Sequence, residues 1–186
     1  TDAWSIVDQN VGWFKDSQLN NAKDMLRKFF EWQRKNPRQL VASEEDFKVE
    51  VGRAVVSGSV DRLEQVGDAL YVVDLKTGKT ATGKSDALTH KQLQAYQLAI
   101  LEGGFDRVTK ITKSAGAELL FVGNEAKSAS ERSQPAVNRD EIAATVEKAA
   151  EGMGSDSFTA TLNKNCRTCS MKLICPLQAE GRSVIE

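Results

Sequence analysis

The chain has 186 residues, enough for one domain with a substantial hydrophobic core. Apolar residues make up 40% and charged residues 27%, and the formal net charge is −1. That balance excludes a global basic field, so a polyanionic partner would have to be held by a local patch of Lys/Arg or by a metal site. No apolar run approaches the roughly 20 residues that span a bilayer, and there is no secretory apolar segment, so no membrane partner and a cytoplasmic setting are expected. The chain opens on Thr1 rather than Met and reads as a piece of something longer.

Residues 1–36 read as helical, with Leu19, Ala22, Met25, Leu26, Phe29, Phe30 and Gln33 at three- and four-residue steps. Asn36-Pro37 stops that helix. Phe47, Val49 and Val51 alternate as in a strand, and Gly52-Arg53 is a turn. Residues 54–64 form a second strand, Val66-Gly67-Asp68-Ala69 a hairpin turn, and residues 70–76 a third strand. Residues 77–86 are polar and Gly-rich, hence a loop. Residues 87–102 form a helix, apolar almost all round in its second half and therefore buried. Residues 117–122 suit a further strand, followed by a polar loop at 123–139, a helix at about 140–151 and a Cys-rich tail. With no repeat and no long linker, residues 1–186 are expected to form a single domain. Helix, three antiparallel strands, helix, strand is the order of an α/β layer fold with mixed strand pairing.

Residues 74–85, DLKTGKTATGKS, admit two chemistries. Gly78-Lys79-Thr80-Ala81-Thr82-Gly83-Lys84-Ser85 matches the phosphate-loop pattern G-x-x-x-x-G-K-[ST], which needs a buried parallel strand before it and a helix N-terminus after it. Against that reading, the preceding strand carries Asp74 and Lys76 and is the second arm of a hairpin. Asp86 also follows Ser85 directly, and residues 119–125 end in Gly123-Asn124-Glu125, with no Asp suited to Mg²⁺. A polar loop with two glycines and two lysines meets so short a pattern by chance.

The other chemistry starts from alternation, which puts Asp74 and Lys76 on one face of a strand. On the neighbouring strand Asp61 shares its face with Ser57 and Ser59, and the hairpin can bring Asp61 beside Asp74. Two adjacent carboxylates repel unless a cation joins them, and oxygen donors select Mg²⁺ or Mn²⁺. Such an ion polarises a phosphoryl oxygen and acidifies a bound water, while a nearby lysine orients that water or neutralises developing charge. From spacing alone, this reading and a solvated sheet face stand level.

G-S-V-D-R at 58–62, Y-V-V-D-L-K-T-G-K at 71–79 and Q-L-Q-A-Y at 92–96 together resemble the PD-(D/E)xK nuclease superfamily in its RecB-like branch. The style is that of the C-terminal nuclease domains of AddAB/RecBCD-type helicase–nucleases, and the resemblance runs from about residue 19 to the end. It implies a restriction-endonuclease-like α/β core, a mixed central sheet flanked by helices, with N-terminal helices at 1–40, the core at 44–160 and a Cys-rich tail at 161–186. Asp61 and Asp74 would be metal ligands, joined by the backbone carbonyl of Leu75, and Lys76 the catalytic lysine. Gln92 and Tyr96, one helical turn apart, would match the family's Q-x-x-x-Y motif; ordinary packing for Tyr96 and a polar helix start for Gln92 are the plainer reading. The family's further ligand, a His or Glu on an N-terminal helix, has no clear counterpart. Glu31, Glu44, Glu50 and His90 are weak candidates for that place, and the simplest expectation puts the ligand upstream of Thr1.

Cys166-x-x-Cys169-x5-Cys175-Pro176 resembles the C-terminal part of the iron–sulfur staple of AddB-type nucleases, which would bind a [4Fe–4S] cluster with a fourth cysteine from elsewhere. Zinc on a C-x2-C half-site and merely buried thiols are the alternatives. Lys164, Arg167 and Lys172 beside them read as a basic loop, solvated or against DNA. The expected function is Mg²⁺- or Mn²⁺-dependent hydrolysis of DNA, exodeoxyribonuclease-type, in DNA repair and recombination, with a helicase as partner by analogy. On this reading Gly78–Ser85 is a mobile loop flanking the DNA path. A phosphate-loop NTPase or small kinase and a non-catalytic DNA-binding module are the rivals.

Overall fold

The computed structural model describes residues 13–157 and 159–182, so residues 1–12 of the expected first helix lie outside the described residues. Contacts divide the chain into two units, Thr1–Glu147 and Lys148–Glu186.

In the first unit, α1 (Trp13–Lys35) leads into a five-stranded sheet in the order β1-β2-β3-β4-β5. The strands are β1 (Gln39–Val51), β2 (Ala54–Val66), β3 (Ala69–Lys76), β4 (Ser114–Phe121) and β5 (Ser130–Pro135). β3 and β4 are parallel and every other neighbouring pair is antiparallel, so the sheet is mixed. Between β3 and β4 lie α2 (Lys84–Leu88) and α3 (Lys91–Leu101), and α4 (Arg139–Met153) follows β5. Among the described residues no helix is long and apolar enough to cross a membrane.

The alternation in β3 assigns its faces. Leu70 and Val72 pack with Leu93, Tyr96, Ala99 and Ile100 of α3, whereas Val73 packs with Trp32 of α1, joined by Leu120 and Val122. A third cluster joins Val49 and Val51 of β1 to Leu98 of α3 and to Ile142 and Ala143 of α4. The β2–β3 hairpin turns at Gly67, whose φ of 57° lies in the left-handed region that favours glycine. That turn fixes the register Arg62–Val73, and continuing the register by one residue sets Asp61 opposite Asp74.

Three stretches differ from the sequence reading. β1 starts at Gln39 rather than 47, because its first residues are mostly polar and are held by pairing with β2 as far as Gln65. The phase of β1 changes at Glu44, a non-glycine residue at φ 50°: Phe47 and Val49 face the core on one side of it and Ala42 on the other. The helix expected at 87–102 is two helices broken at Thr89-His90, the first beginning inside the expected loop. β5, SERSQP, went unseen because it is a polar edge strand with only Gln134 deeply buried.

Under α1 lies a buried ionic network with no signature in the sequence. Arg38 pairs with Glu64 at 2.5 Å and with Glu118 at 2.6 Å, and Arg62 pairs with the same Glu64. The Arg38 guanidinium stacks 4.3 Å over the Tyr71 ring. Glu64 and Glu118 are 0% and 1% exposed, so their desolvation is offset chiefly by these arginines, with Asn36 donating to Glu64 at 2.7 Å.

The second unit contains two short 3-10 turns, Cys166–Thr168 and Lys172–Ile174, and a final turn of helix, α5 (Ala179–Arg182).

Candidate active site

The C-terminal end of β3 brings a carboxylate and an ammonium to the α3 face of the sheet. Asp74 is only 2% exposed, an expensive place for a charge unless polar groups converge on it. They do. Its Oδ1 accepts from the Tyr96 hydroxyl at 3.0 Å and from Gln92 Nε2 at 3.1 Å. Its Oδ2 accepts no hydrogen bond but has Lys76 Nζ beside it at 2.6 Å, an ion pair off the hydrogen-bonding direction. Gln92 completes the circuit: Nε2 also donates to the Tyr96 oxygen at 2.7 Å, and Oε1 accepts from Lys76 Nζ at 3.1 Å. An ammonium only donates, which fixes the orientation of the Gln92 amide.

On β2, Asp61 Oδ2 accepts the backbone N–H of Leu75 at 2.6 Å. The β2–β3 ladder stops at Arg62–Val73, and this carboxylate takes up the next strand amide in its place. Asp61 thereby stays beside β3 where the strands part; directly opposed residues in such pairs have Cβ atoms about 5 Å apart. Burial, the Asp74 charge and the hydrogen bond to Asp74 together push the Tyr96 phenol up to about 12, so it remains a neutral donor around neutral pH.

Sequence reasoning named Asp61, Asp74, Lys76, Gln92 and Tyr96, and the fold brings all five together. Leu75 lies between the two site residues of β3, its amide given to Asp61. The four groups weighed for the extra ligand are not gathered there. Glu31 is tied to Arg27 at 2.8 Å on α1, which packs on the opposite face of the sheet. Glu50 pairs with Val55, six residues along β2 from Asp61, which is about 20 Å of strand. Glu44 is exposed on β1, level with Asp61, and His90 precedes α3 with its Nδ1 buried and unpartnered. Among the described residues no three His, Cys, Asp or Glu side chains form a metal-holding group. That holds for the tail as well: Cys166, Cys169 and Cys175 line one cavity of about 380 Å³ as free thiols, but they are not gathered as a ligand set.

Gly78–Ser85 does not take phosphate-loop form. β3 is a hairpin arm, α2 has five residues, and the Asp86 carboxylate lies against Gly83, where a Cβ would sit 3.0 Å from its Oδ2.

A sequence profile of the PD-(D/E)XK nuclease superfamily matches residues 2–176. The chain belongs to that superfamily. Membership makes a hydrolytic nuclease the coarse reading of the site, and PD-(D/E)XK nucleases generally use divalent metal ions. The mixed five-stranded sheet flanked by helices agrees with the restriction-endonuclease-like fold. A solved structure, "Crystal structure of SSO0001", aligns at 20% identity with a TM-score of 0.46, covering 84% of this chain and 70% of that one, a distant likeness. No curated protein matches the chain.

Two groups of residues escaped the sequence reading. Gln97 and Gln134, 0% and 1% exposed, hold α3 and the turn before it onto β5. Arg132 lies on the unrecognised strand. Glutamine in a helix and arginine in a polar stretch carry no spacing signal that separates them from solvated side chains.

Proposed function

We propose that this chain is a divalent-metal-dependent DNA nuclease domain of the RecB-like kind, which serves helicase–nucleases in DNA end processing and recombinational repair. The observation that carries the proposal is the meeting of Asp61, Asp74 and Lys76 with Gln92 and Tyr96 on one face of the sheet. The donor set fits Mg²⁺ or Mn²⁺: two carboxylates, the Leu75 carbonyl as a third oxygen, and an Asp74 oxygen that is buried without a hydrogen bond. Mg²⁺ keeps several waters and is content with one or two carboxylates, so no dense acidic cage is required. Bound there, the ion would polarise a phosphoryl oxygen and acidify a water molecule.

The chain's own groups divide the remaining work. Tyr96 and Gln92 saturate Asp74 Oδ1 and so hold its carboxylate in one rotamer with Oδ2 turned to Lys76. Lys76 has 31% of its side chain exposed, so its ammonium faces both the carboxylate and the incoming substrate. There it orients the attacking water and neutralises the charge that grows on the phosphorus-bound oxygens. Gln92 restrains that ammonium through its Oε1.

The test is cleavage of end-labelled linear DNA with Mg²⁺ or Mn²⁺. Asp74→Ala and Lys76→Ala should each lower cleavage by about 10²-fold or more, the scale of losing a preorganised charge-stabilising group. Undiminished cleavage in both variants overturns the proposal. The finer reading of a [4Fe–4S] cluster on Cys166, Cys169 and Cys175 rests on their spacing, needs a fourth ligand and requires the thiols to draw together. Protein purified without oxygen and lacking visible charge-transfer absorbance would dispose of it.

A further inference from the structure

A depression lies at the β5 edge of the sheet. It has a volume of about 440 Å³ and is lined by Lys84, Ser85, Leu88, Glu131, Arg132 and Ser133. Strand register locates it. Asp74 pairs with Leu119, and Leu119 pairs with Arg132, so Arg132 stands level with Asp74 two strands away. At the usual strand spacing that is about 10 Å. The face is also the same: Arg132 and Gln134 are two residues apart on β5, and Gln134 donates to the carbonyls of Ala87, Leu88 and His90, the segment that leads into the helix of Gln92 and Tyr96.

The depression is built rather than incidental. Arg132 Nε donates to the Thr82 carbonyl at 2.6 Å and Nη1 to the Glu131 carbonyl at 2.8 Å, which fixes the guanidinium against the loop leaving Lys76. Lys84 makes no hydrogen bond or ion pair within the described residues. On the Asp74 face the lining supplies two cations, Lys84 and Arg132, and the Ser85 hydroxyl; Glu131 and Ser133 alternate to the opposite face, where Ser133 donates to Glu118 at 3.5 Å. Asp86 against Gly83 opposes a triphosphate on the loop amides.

We propose that Lys84, Ser85 and Arg132 form a phosphate subsite that holds a non-scissile backbone phosphate of the substrate strand, about 10 Å from Asp74. The assignment of that strand as substrate rests on the nuclease reading above. The lysine of the phosphate-loop pattern thus does bind phosphate, but as part of a track for a polymer. Phosphate contacts of this sort set the register of a strand without reading its sequence.

The experiment measures binding of a fluorescent single-stranded oligonucleotide to the full chain in EDTA, over a series of salt concentrations, with ATP as a competing probe. Lys84→Gln and Arg132→Gln should weaken binding severalfold for any sequence, and each should lower the slope of log affinity against log salt by about 0.7, the increment for one single-strand phosphate contact. Lys48→Gln removes a charge elsewhere and should leave the slope unchanged. Should Arg132→Gln fail to fold, Lys84→Gln alone decides. An unaltered slope in Lys84→Gln, an equal fall in Lys48→Gln, no oligonucleotide binding by the parent chain, or Lys84-dependent binding of ATP with no effect on the oligonucleotide each overturns the subsite. If the slope falls as expected while Asp74→Ala still cleaves, the catalytic reading fails and the strand-phosphate site stands.

Discussion

Gly123→Ala is the substitution that the structure constrains most tightly. A Cβ on Gly123 would lie 1.8 Å from the Thr77 carbonyl oxygen and 2.4 Å from its carbon. Real Cβ contacts essentially never fall below 3.0 Å, so the two segments must part by about 1.2 Å, the difference between 3.0 and 1.8. Both are backbone, and both are bound: the amides of Val122 and Gly123 donate to the Lys76 carbonyl at 3.0 and 3.3 Å. Behind Gly123, the Asn124 carbonyl accepts from the buried Lys28 at 2.5 Å, so the turn cannot simply swing away. The displacement falls on the end of β3 that carries Lys76. Overpacking of this kind costs about 1–3 kcal/mol, and a shift of about 1 Å at a reacting group costs about 10²-fold in rate. Denaturant unfolding measures the first figure and single-turnover DNA cleavage the second. Parental stability together with parental cleavage would refute the reasoning, since it would mean that β3 and the turn can part without cost.

Gln97→Leu should destabilise the first unit by at least about 1–3 kcal/mol in denaturant unfolding, because Ser114, Val137 and Gln134 each lose a buried partner. Arg38→Met should cost about 3–5 kcal/mol near neutral pH by stranding Glu118, whose other polar neighbours, Tyr71 and Ser133, lie at 3.4 and 3.5 Å. Burial already holds the Glu118 carboxyl above its ordinary 4.5, and loss of the arginine that draws it down raises it further. A raised carboxyl keeps its contribution below the unfolded value and loses it as pH rises through the folded one. The Arg38→Met deficit should therefore be small at about pH 4 and grow toward neutrality, as paired unfolding curves would reveal. In Tyr71→Phe, which leaves Tyr96 as the sole tyrosine, the phenol should ionise at about 12 rather than its ordinary 10.0 and fall when Asp74→Asn is added. Because the folded value is the higher one, the linked stability is present below pH 10 and lost toward 12. Native Tyr96 titrating at its ordinary value would contradict the contact with Asp74.

What the sequence by itself determined is what local periodicity and short spacing encode. Alternation put Asp74 and Lys76 on one face, the interval from Gln92 to Tyr96 is one helical turn, and the hairpin at Gly67 sets Asp61 against Asp74. Each is a property of neighbours along the chain, so each was legible. The apolar rhythm of β2, β3 and α3 announced the core for the same reason. Only the tertiary structure decided the rest. β5 and the first half of β1 are strands because a neighbouring ladder satisfies their backbone, and their own side chains are polar enough to look like loop. The parallel pairing of β3 with β4 brings Arg132 level with Asp74 from a residue 58 positions away, and no spacing rule connects the two. Buried charges such as Glu64 and Glu118 read as surface until Arg38 arrives from another element to offset their desolvation. Local dihedral and hydrophobic preferences act over a few residues; hydrogen-bond ladders, ion networks and the aim of a side chain across a sheet are settled only when distant segments exclude water together.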